Sequence, residues 1–450
     1  MGRIFGTDGA RGIAITELTC ELAMKIGRAA AFVLTKDLSR KPIFFVGKDT
    51  RVSSDVIEAA LISGLCSVGV DVHLLGVIST PAVAMLLRKC DGDAGIVISA
   101  SHNSMEYNGI KIFSSSGYKL SDEKEEEIEK YVLDFPEEIP LKCGNDIGRI
   151  SYNKNAVWDY VRYLMKTVQG DLSGLKVAID CANGAAFTTA EKLFTGLGAT
   201  CFFINSTPDG TNINENSGSL HLASLMGFVA EKKCHVGIAF DGDADRCLAV
   251  DENGRIVDGD KIMAIIAKDL DRKGLLRNHT IVATVMSNLG LKKFAEENCI
   301  NLEITNVGDR YVIEKMLQSG YNFGGEQSGH IILHDEATMG DGQLTAIRLL
   351  SILKNSGKKM SELAGVMEAF PQVMVGVKIS RKWHEIWAKD KSIFDFVEAL
   401  RVSLGSDGRI LVRESGTEPI IRIMVEGKQL NIINQYALEI AEKIRQRCPK

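Results

Sequence analysis

The sequence predicts an α/β protein: three similar α/β domains with mainly parallel sheets, followed by a small C-terminal α+β domain. Three observations predict it. Short apolar runs alternate with helical patterns from Ile43 to Lys354, the order that builds parallel sheets. Each of three successive blocks carries a polar loop containing glycine or serine directly after a strand. From about Pro371 the texture changes to strand, helix, strand, loop, strand, helix. A chain of 450 residues accommodates several domains. The expected boundaries are 1–150, 151–253, 254–369 and 370–450.

The first block opens on Gly6-Thr7-Asp8-Gly9-Ala10-Arg11-Gly12. Its glycines allow close backbone approach, and Arg11 can grip an oxyanion. Leu18, Leu22, Ile26 and Val33 mark an amphipathic helix. The strand Ile43 to Val46 runs into Lys48, Asp49, Arg51, Ser53 and Ser54, a strand-to-helix junction of the kind that attracts anions. Residues 55–69, 71–76 and 81–89 read as helix, strand and helix. The run Ile96 to Ser99 reads as a short buried strand, and the chain then turns polar at Ser99-Ala100-Ser101-His102-Asn103. A second apolar run, Ile110 to Phe113, carries Lys111. A serine at the mouth of a buried strand sits where α/β sheets place ligands. The acidic run Asp122 to Glu129 reads as a solvated helix face, and 135–150, with Pro136 and Pro140, as a linker.

In the second block, Ala156 to Val168 is helical, and strands are expected at Leu175 to Asp180, Cys201 to Ile204 and Val236 to Phe240. The last ends in Asp241-Gly242-Asp243-Ala244-Asp245-Arg246. The third block has helices at Lys261 to Leu270 and Leu291 to Asn298, with a strand at Ile281 to Val285. It continues through a polar loop, Val307 to Arg310, to Gly324-Gly325-Glu326-Gln327-Ser328-Gly329-His330 and Ala337 to Gly342. A helix from Gln343 to Lys354 closes it. In the last block the loop Glu414-Ser415-Gly416-Thr417-Glu418-Pro419 is flanked by Arg413 and Arg422. Two arginines, two hydroxyls and the Gly416 N–H are the donors a phosphate needs.

Composition narrows the partner. A net charge of −5 leaves no basic footprint for nucleic acid. Ten scattered cysteines form no Cys-x-x-Cys pair and no Cys/His cluster, which fits reduced thiols in a cytoplasm. No apolar run is long enough to span a bilayer. The expected partner is therefore a small molecule, with neither nucleic acid nor membrane involved, and a homodimer is the assembly allowed for.

Asp241, Asp243 and Asp245 stand two apart at the end of an apolar strand. Their mutual repulsion calls for a divalent cation, and an oxygen-only donor set suits Mg²⁺ or Mn²⁺. Arg246 and an apolar run follow where a calcium loop would need further ligands. There is no Walker A sequence. A serine, a carboxylate triad and a separate phosphate loop suffice for phosphoryl transfer if the serine itself holds the phosphoryl group.

These motifs resemble the α-D-phosphohexomutase family. Thr7 to Gly12, Ser99 to Asn103, Asp241 to Arg246, Gly324 to His330 and Arg413 to Pro419 occur in the family's order and cover nearly the whole chain. The resemblance implies four domains around a central cleft, one loop from each. It implies that Ser101 is a phosphoserine and, with Asp241, Asp243 and Asp245, holds Mg²⁺. It implies that Glu326 and Ser328 contact sugar hydroxyls, and that Arg413, Ser415, Gly416, Thr417 and Arg422 bind the substrate phosphate. Arg246 joins the substrate contacts. Ser104 departs from the pattern, since many members have proline there.

The expected chemistry passes the phosphoryl group of Ser101 to a free sugar hydroxyl. The bisphosphate reorients, and its other phosphate returns to the serine. Lys111 and His330 are the candidate acid/base residues, Arg11 steadies the phosphoserine, and His102 orders the loop. The partners are thus a sugar phosphate and its bisphosphate. Gln327 and the loop Ala337 to Gly342 are similar to the members acting on amino sugar phosphates, which suggests glucosamine 6-phosphate as substrate. Glu326 or its neighbourhood would accept from the C2 ammonium. A neutral-hexose mutase, a metal-dependent phosphatase and a non-catalytic sugar-phosphate sensor stand as alternatives.

Overall fold

The computed structural model describes residues 2–6, 8–380, 383, 387–414 and 420–448. By contact density it divides into two compact units. One comprises 1–286 and 299–366, the other 287–298 and 367–450.

The larger unit holds three sheets. The first has seven strands in the order Phe5–Gly6, Gly9–Ile13, Tyr107–Ser114, Ala94–Ile98, Ile43–Lys48, Asp71–Val77 and Ile150–Tyr152. The last four are mutually parallel, and Tyr107–Ser114 runs antiparallel to Ala94–Ile98. The edge strand Ile150–Tyr152 thus comes from the end of the stretch that reads as a linker. The second sheet runs Ile256–Val257, Cys247–Asp251, Val236–Phe240, Lys176–Asp180, Thr200–Ile204. The third runs Asn301–Thr305, Thr280–Thr284, Phe323–Gly325, Ile331–Leu333.

All three sheets repeat one arrangement. A parallel strand carries the chain to a polar loop, and an antiparallel strand brings it back. Ala94–Ile98 and Tyr107–Ser114 flank the serine loop. Val236–Phe240 and Cys247–Asp251 flank the aspartate loop. Phe323–Gly325 and Ile331–Leu333 flank the Glu326–His330 loop. Strand Ala94–Ile98 is buried along its whole length, as expected of a central strand covered on both faces. Helix Val52–Ser67 packs against it and helix Cys20–Thr35 against that helix, the latter capped by Thr19, whose Oγ1 accepts the Leu22 N–H at 3.1 Å.

The acidic helix Asp122–Leu133 is anchored as well as solvated. Glu129 is buried and accepts the N–H groups of Arg3, Ile4 and Phe5 at 2.7–2.8 Å. Several elements are not read from sequence, among them helix Ala223–Lys232, strand Asn301–Thr305, helix Asp309–Ser319 and strand Phe323–Gly325.

The smaller unit is a three-stranded antiparallel sheet, Gln372–Lys378, Ile420–Gly427 and Gly408–Glu414 in that order. Helices Lys391–Leu404 and Leu430–Arg447 pack on it, the latter through Ile433, Ala437, Ile440, Ala441 and Ile444. Helix Leu289–Glu297 belongs to this unit, although the chain on both sides of it lies in the larger one. Buried Glu426 accepts the Leu289 N–H at 2.8 Å, and Asn288 pairs with the Phe370 backbone.

Candidate active site

Ser101 sits just past strand Ala94–Ile98, buried, with its backbone in the left-handed region at φ 52°. That conformation is uncommon for serine and has to be held by its surroundings. Ser99 Oγ accepts the Ser101 N–H at 2.9 Å and donates to Asp49 at 2.6 Å. Asp49 also accepts from Ser54 and from the Arg51 N–H and Nε. The guanidinium of Arg51 then reaches the carbonyls of Ser101 at 3.1 Å, Asn103 at 2.8 Å and Ser104. Asn214, from the second block, donates to the Ser101 and Asn103 carbonyls at 2.9 Å. The charges at the Lys48 to Ser54 junction are engaged within the protein: Asp49 and Arg51 pair with each other and with the serine loop, and Lys48 pairs with Asp55 and Glu58. A buried ion pair is tolerable when its remaining donors are satisfied, as those of Arg51 are.

Strand Val236–Phe240 delivers the three aspartates. The Ser101 hydroxyl donates to Asp241 Oδ2 at 2.6 Å. Asp243 accepts from Thr80 Oγ1 at 2.6 Å and from Lys111 Nζ at 2.8 Å. All three carboxylates are buried, and one oxygen of each lies within 4.8 Å of the others. Asp243 Oδ1 and Asp245 Oδ1 are buried without a hydrogen-bond partner. Burial, then the charges of Asp245 and Asp243, push the Asp241 carboxyl well above its usual range. Oxygen donors and two orphaned lone-pair sites fit a hard divalent cation. Gly242 has to be glycine, because a Cβ there would meet the Ser101 carbonyl at 2.5 Å.

Cations surround the cluster. Lys111 is buried on strand Tyr107–Ser114, with Nζ 2.8 Å from Asp243, 3.2 Å from Asp8 and 3.8 Å from Asp245. Burial opposes its charge, but the three carboxylates outweigh it and raise the lysine's pKa. Arg11 pairs with Asp8 and reaches Asn103 Oδ1 at 3.2 Å. The Arg246 N–H donates to Asp241 at 3.2 Å, while its Nε is buried without a hydrogen-bond partner. His102 Nδ1 lies 3.4 Å from Ser101 Oγ. Burial, then Arg246 and Arg11, drive its pKa down to about 4, so the ring is neutral.

The third block supplies Glu326, Ser328 and His330. Glu326 accepts the Gly308 N–H at 3.2 Å, and Ser328 Oγ is buried without a partner. The His330 ring is engaged at both nitrogens. Nδ1 faces Asp245 at 3.5 Å. Nε2 accepts the Gly340 N–H at 3.0 Å and lies 3.6 Å from Asp309. Burial disfavours a charged ring, but Asp245, Asp309 and Glu326 pull its pKa up to about 9. The Gly340 contact requires an unprotonated Nε2; it holds the Nδ1–H tautomer, and a second proton has to displace it. The loop Ala337 to Gly342 is thus a brace. Gly340 seats the histidine, and the Gly342 N–H donates to the Ala244 carbonyl at 3.0 Å.

Asp8, Lys119 and Asp309 also join the site. Lys119 bridges Asp8 at 2.6 Å and Asp309 at 2.7 Å. The Val-Gly-Asp-Arg loop, Val307 to Arg310, was the available signal for Asp309. Its neighbour Arg310 pairs with Asp122 of the acidic helix, giving that helix a role as an anchor between blocks.

In the smaller unit, Arg413 and Arg422 are cross-strand partners beside the hairpin loop. Burial and the Arg422 charge lower the Arg413 pKa. Ser415, Gly416 and Thr417 lie outside the described residues.

Comparison with known proteins agrees with this layout. Residues 2–137, 158–254 and 258–370 match the phosphoglucomutase/phosphomannomutase alpha/beta/alpha domains I, II and III. Residues 353–443 match the C-terminal domain of the same family. A phosphoglucosamine mutase of Acetivibrio thermocellus is 53% identical over 447 residues, covering 99% of this chain and 100% of that protein. One of Ruminiclostridium cellulolyticum is 54% identical with the same coverage. Among solved structures, Aspergillus fumigatus N-acetylphosphoglucosamine mutase in complex with GlcNAc-6P and magnesium superposes with a TM-score of 0.70 at 16% identity. That match covers 99% of this chain and 96% of the other.

Proposed function

The chain belongs to the phosphoglucomutase/phosphomannomutase family, and from that premise we propose that it is an isomerase interconverting glucosamine 6-phosphate and glucosamine 1-phosphate. The observation that carries the reaction type is the Ser101 hydroxyl, buried and hydrogen-bonded to one of three clustered aspartates with Lys111 on the same cluster. The amino sugar is supported by the relatives' names and by Gln327 in the sugar loop.

In this reading the resting enzyme carries a phosphoryl group on Ser101 Oγ. Arg51 and Asn214 hold the loop carbonyls so that the serine cannot swing away. The free C1 hydroxyl attacks, the bond to Ser101 Oγ breaks, and a 1,6-bisphosphate results. After reorientation Ser101 Oγ takes the 6-phosphoryl group and glucosamine 1-phosphate leaves. Asp241, Asp243, Asp245 and the phosphoserine would hold Mg²⁺, which draws off carboxylate charge and neutralises the transferring group. Lys111 moves the proton. As the ammonium it gives one to the departing oxygen, and as the amine it takes one from the attacking hydroxyl. Arg11 steadies the phosphoserine. His330 works at one remove, since both its nitrogens are taken, and it orients Asp245. Glu326 and Ser328 bind sugar hydroxyls or the C2 ammonium, Arg246 contacts the sugar phosphate, and the loop from Arg413 through Ser415, Gly416 and Thr417 to Arg422 grips its non-reacting phosphate. The product would supply nucleotide amino sugar synthesis in a bacterial cytoplasm. All ten cysteines are free, and no helix among the described residues is long and apolar enough to cross a membrane.

The test is kcat/KM for glucosamine 6-phosphate against glucose 6-phosphate and mannose 6-phosphate at saturating Mg²⁺, with phosphate release followed in parallel. A lost charge-assisted hydrogen bond is worth about 1.5–3 kcal/mol, so the amino sugar should lead by roughly ten- to a hundred-fold. Equal values, or a lead for either neutral sugar, move the chain to the neutral-hexose branch. Stoichiometric phosphate release makes it a phosphatase.

A further inference from the structure

Six charged or ionisable side chains from three blocks close a ring against the aspartate cluster. Lys111 lies 3.2 Å from Asp8, Asp8 2.6 Å from Lys119, and Lys119 2.7 Å from Asp309. Asp309 lies 3.6 Å from His330 Nε2, His330 Nδ1 3.5 Å from Asp245, and Asp245 3.8 Å from Lys111. Lys119 and Asp309 are the members farthest from the cluster, and the mechanism above makes no use of them. Yet each side chain is only 17% exposed, in keeping with a network in which every charge depends on its neighbours.

The connectivity has a direction. Asp8 is shared by Lys111, Lys119 and Arg11. As long as Asp309 engages Lys119, Asp8 is free to draw Lys111 toward itself. Without Asp309, Lys119 falls wholly on Asp8. The Lys111 ammonium is then left to Asp243 and Asp245, where it competes with a metal for the same oxygens.

We propose that Asp309 is a positioning residue: by engaging Lys119 it leaves Asp8 to share the Lys111 ammonium, which otherwise rests wholly on Asp243 and Asp245. The proposal rests on the reading of Asp241, Asp243 and Asp245 as metal ligands, and it is independent of which sugar is the substrate.

The experiment titrates the full-length, unphosphorylated protein with Mn²⁺ and follows the free-ion EPR signal. Asp309→Asn should weaken Mn²⁺ binding about ten-fold, the low end for partners of metal ligands. Lys119→Met should bind at least as tightly as wild type. The double variant should return to within about three-fold of wild type, because both charges leave together. Asp309→Asn binding within two-fold of wild type overturns the proposal, as does a double variant as weak as Asp309→Asn alone. If Asp309→Asn yields no folded protein, Lys119→Met decides, and a ten-fold loss there overturns the proposal. A wild type without saturable Mn²⁺ binding overturns the metal reading and this inference together, whereas unchanged affinity in Asp309→Asn overturns this inference alone.

Discussion

Ser101 reaches its position through side chains scattered across the sequence: Asp49, Arg51, Ser99 and Asn214. Arg51 is the clearest test of that scaffold. Its pair with Asp49 is fully buried, and removing one partner strands a charge. Arg51→Ala should cost about 3–5 kcal/mol in denaturant unfolding and lower kcat more than it changes KM. A variant as stable as wild type would show that the pair is incidental. Gly340 offers a second test. A Cβ there would lie 2.5–2.7 Å from three atoms of the His330 ring. Gly340→Ala should therefore displace the histidine, costing about 1–3 kcal/mol and raising the Mg²⁺ needed for turnover. Normal Mg²⁺ dependence would mean that His330 does not orient Asp245. At this scale the sequence was legible where chemistry is contiguous. Ser101, the three aspartates and Lys111 fall together as their motifs suggested. Thr80 and Asn214 were not legible as site residues, Asp49 was read only within an anion-attracting junction and Asp309 only within a polar loop, because each is brought to the site by a different element.

Among elements, the recurring unit is a polar loop between a strand and its antiparallel return. It occurs at Ser99–Glu106, Asp241–Arg246 and Glu326–His330. The return strand explains how buried charges enter the site. Lys111 lies on one, opposite Val97 of the buried strand. In the smaller unit the same geometry sets Arg413 across from Arg422. Arg413→Ala and Arg422→Ala should each raise KM by roughly one to two orders of magnitude, from about 1.5–3 kcal/mol per charge-assisted contact. An unchanged KM in both would put the substrate phosphate elsewhere. Most strands and helices with strong periodicity or an apolar run were legible, Val236–Phe240 among them. Strand Asn301–Thr305 and helix Asp309–Ser319 were not. The strand mixes Asn, Glu and Thr with two apolar residues, and the helix buries only Val312 and Met316.

Across the whole molecule, the larger unit assembles its site from three blocks that meet at the aspartate cluster. Asp8, Ser101 and Lys111 come from the first, Asp241, Asp243 and Asp245 from the second, Asp309 and His330 from the third. The alternation of strands and helices was enough to foresee repeated α/β blocks. It could not show that helix Leu289–Glu297 joins the smaller unit, since Glu426 and Phe370, which secure it, lie far along the chain. Such an assembly predicts that chelation acts on chemistry and not on folding. EDTA should abolish turnover and leave the far-UV spectrum and melting transition nearly unchanged, and full activity after exhaustive chelation would contradict the metal reading. The central claim is that Ser101 carries a phosphoryl group to the sugar and takes one back. Protein labelled on Ser101 with ³²P, confirmed by peptide mapping, is mixed with glucosamine 6-phosphate and Mg²⁺ and quenched within one turnover. The account predicts that label leaves the serine, appears first in a sugar bisphosphate and then in glucosamine 1-phosphate as the unlabelled 6-phosphoryl group replaces it on Ser101. Label that stays on the protein while product forms, or that appears as inorganic phosphate in step with turnover, would contradict it.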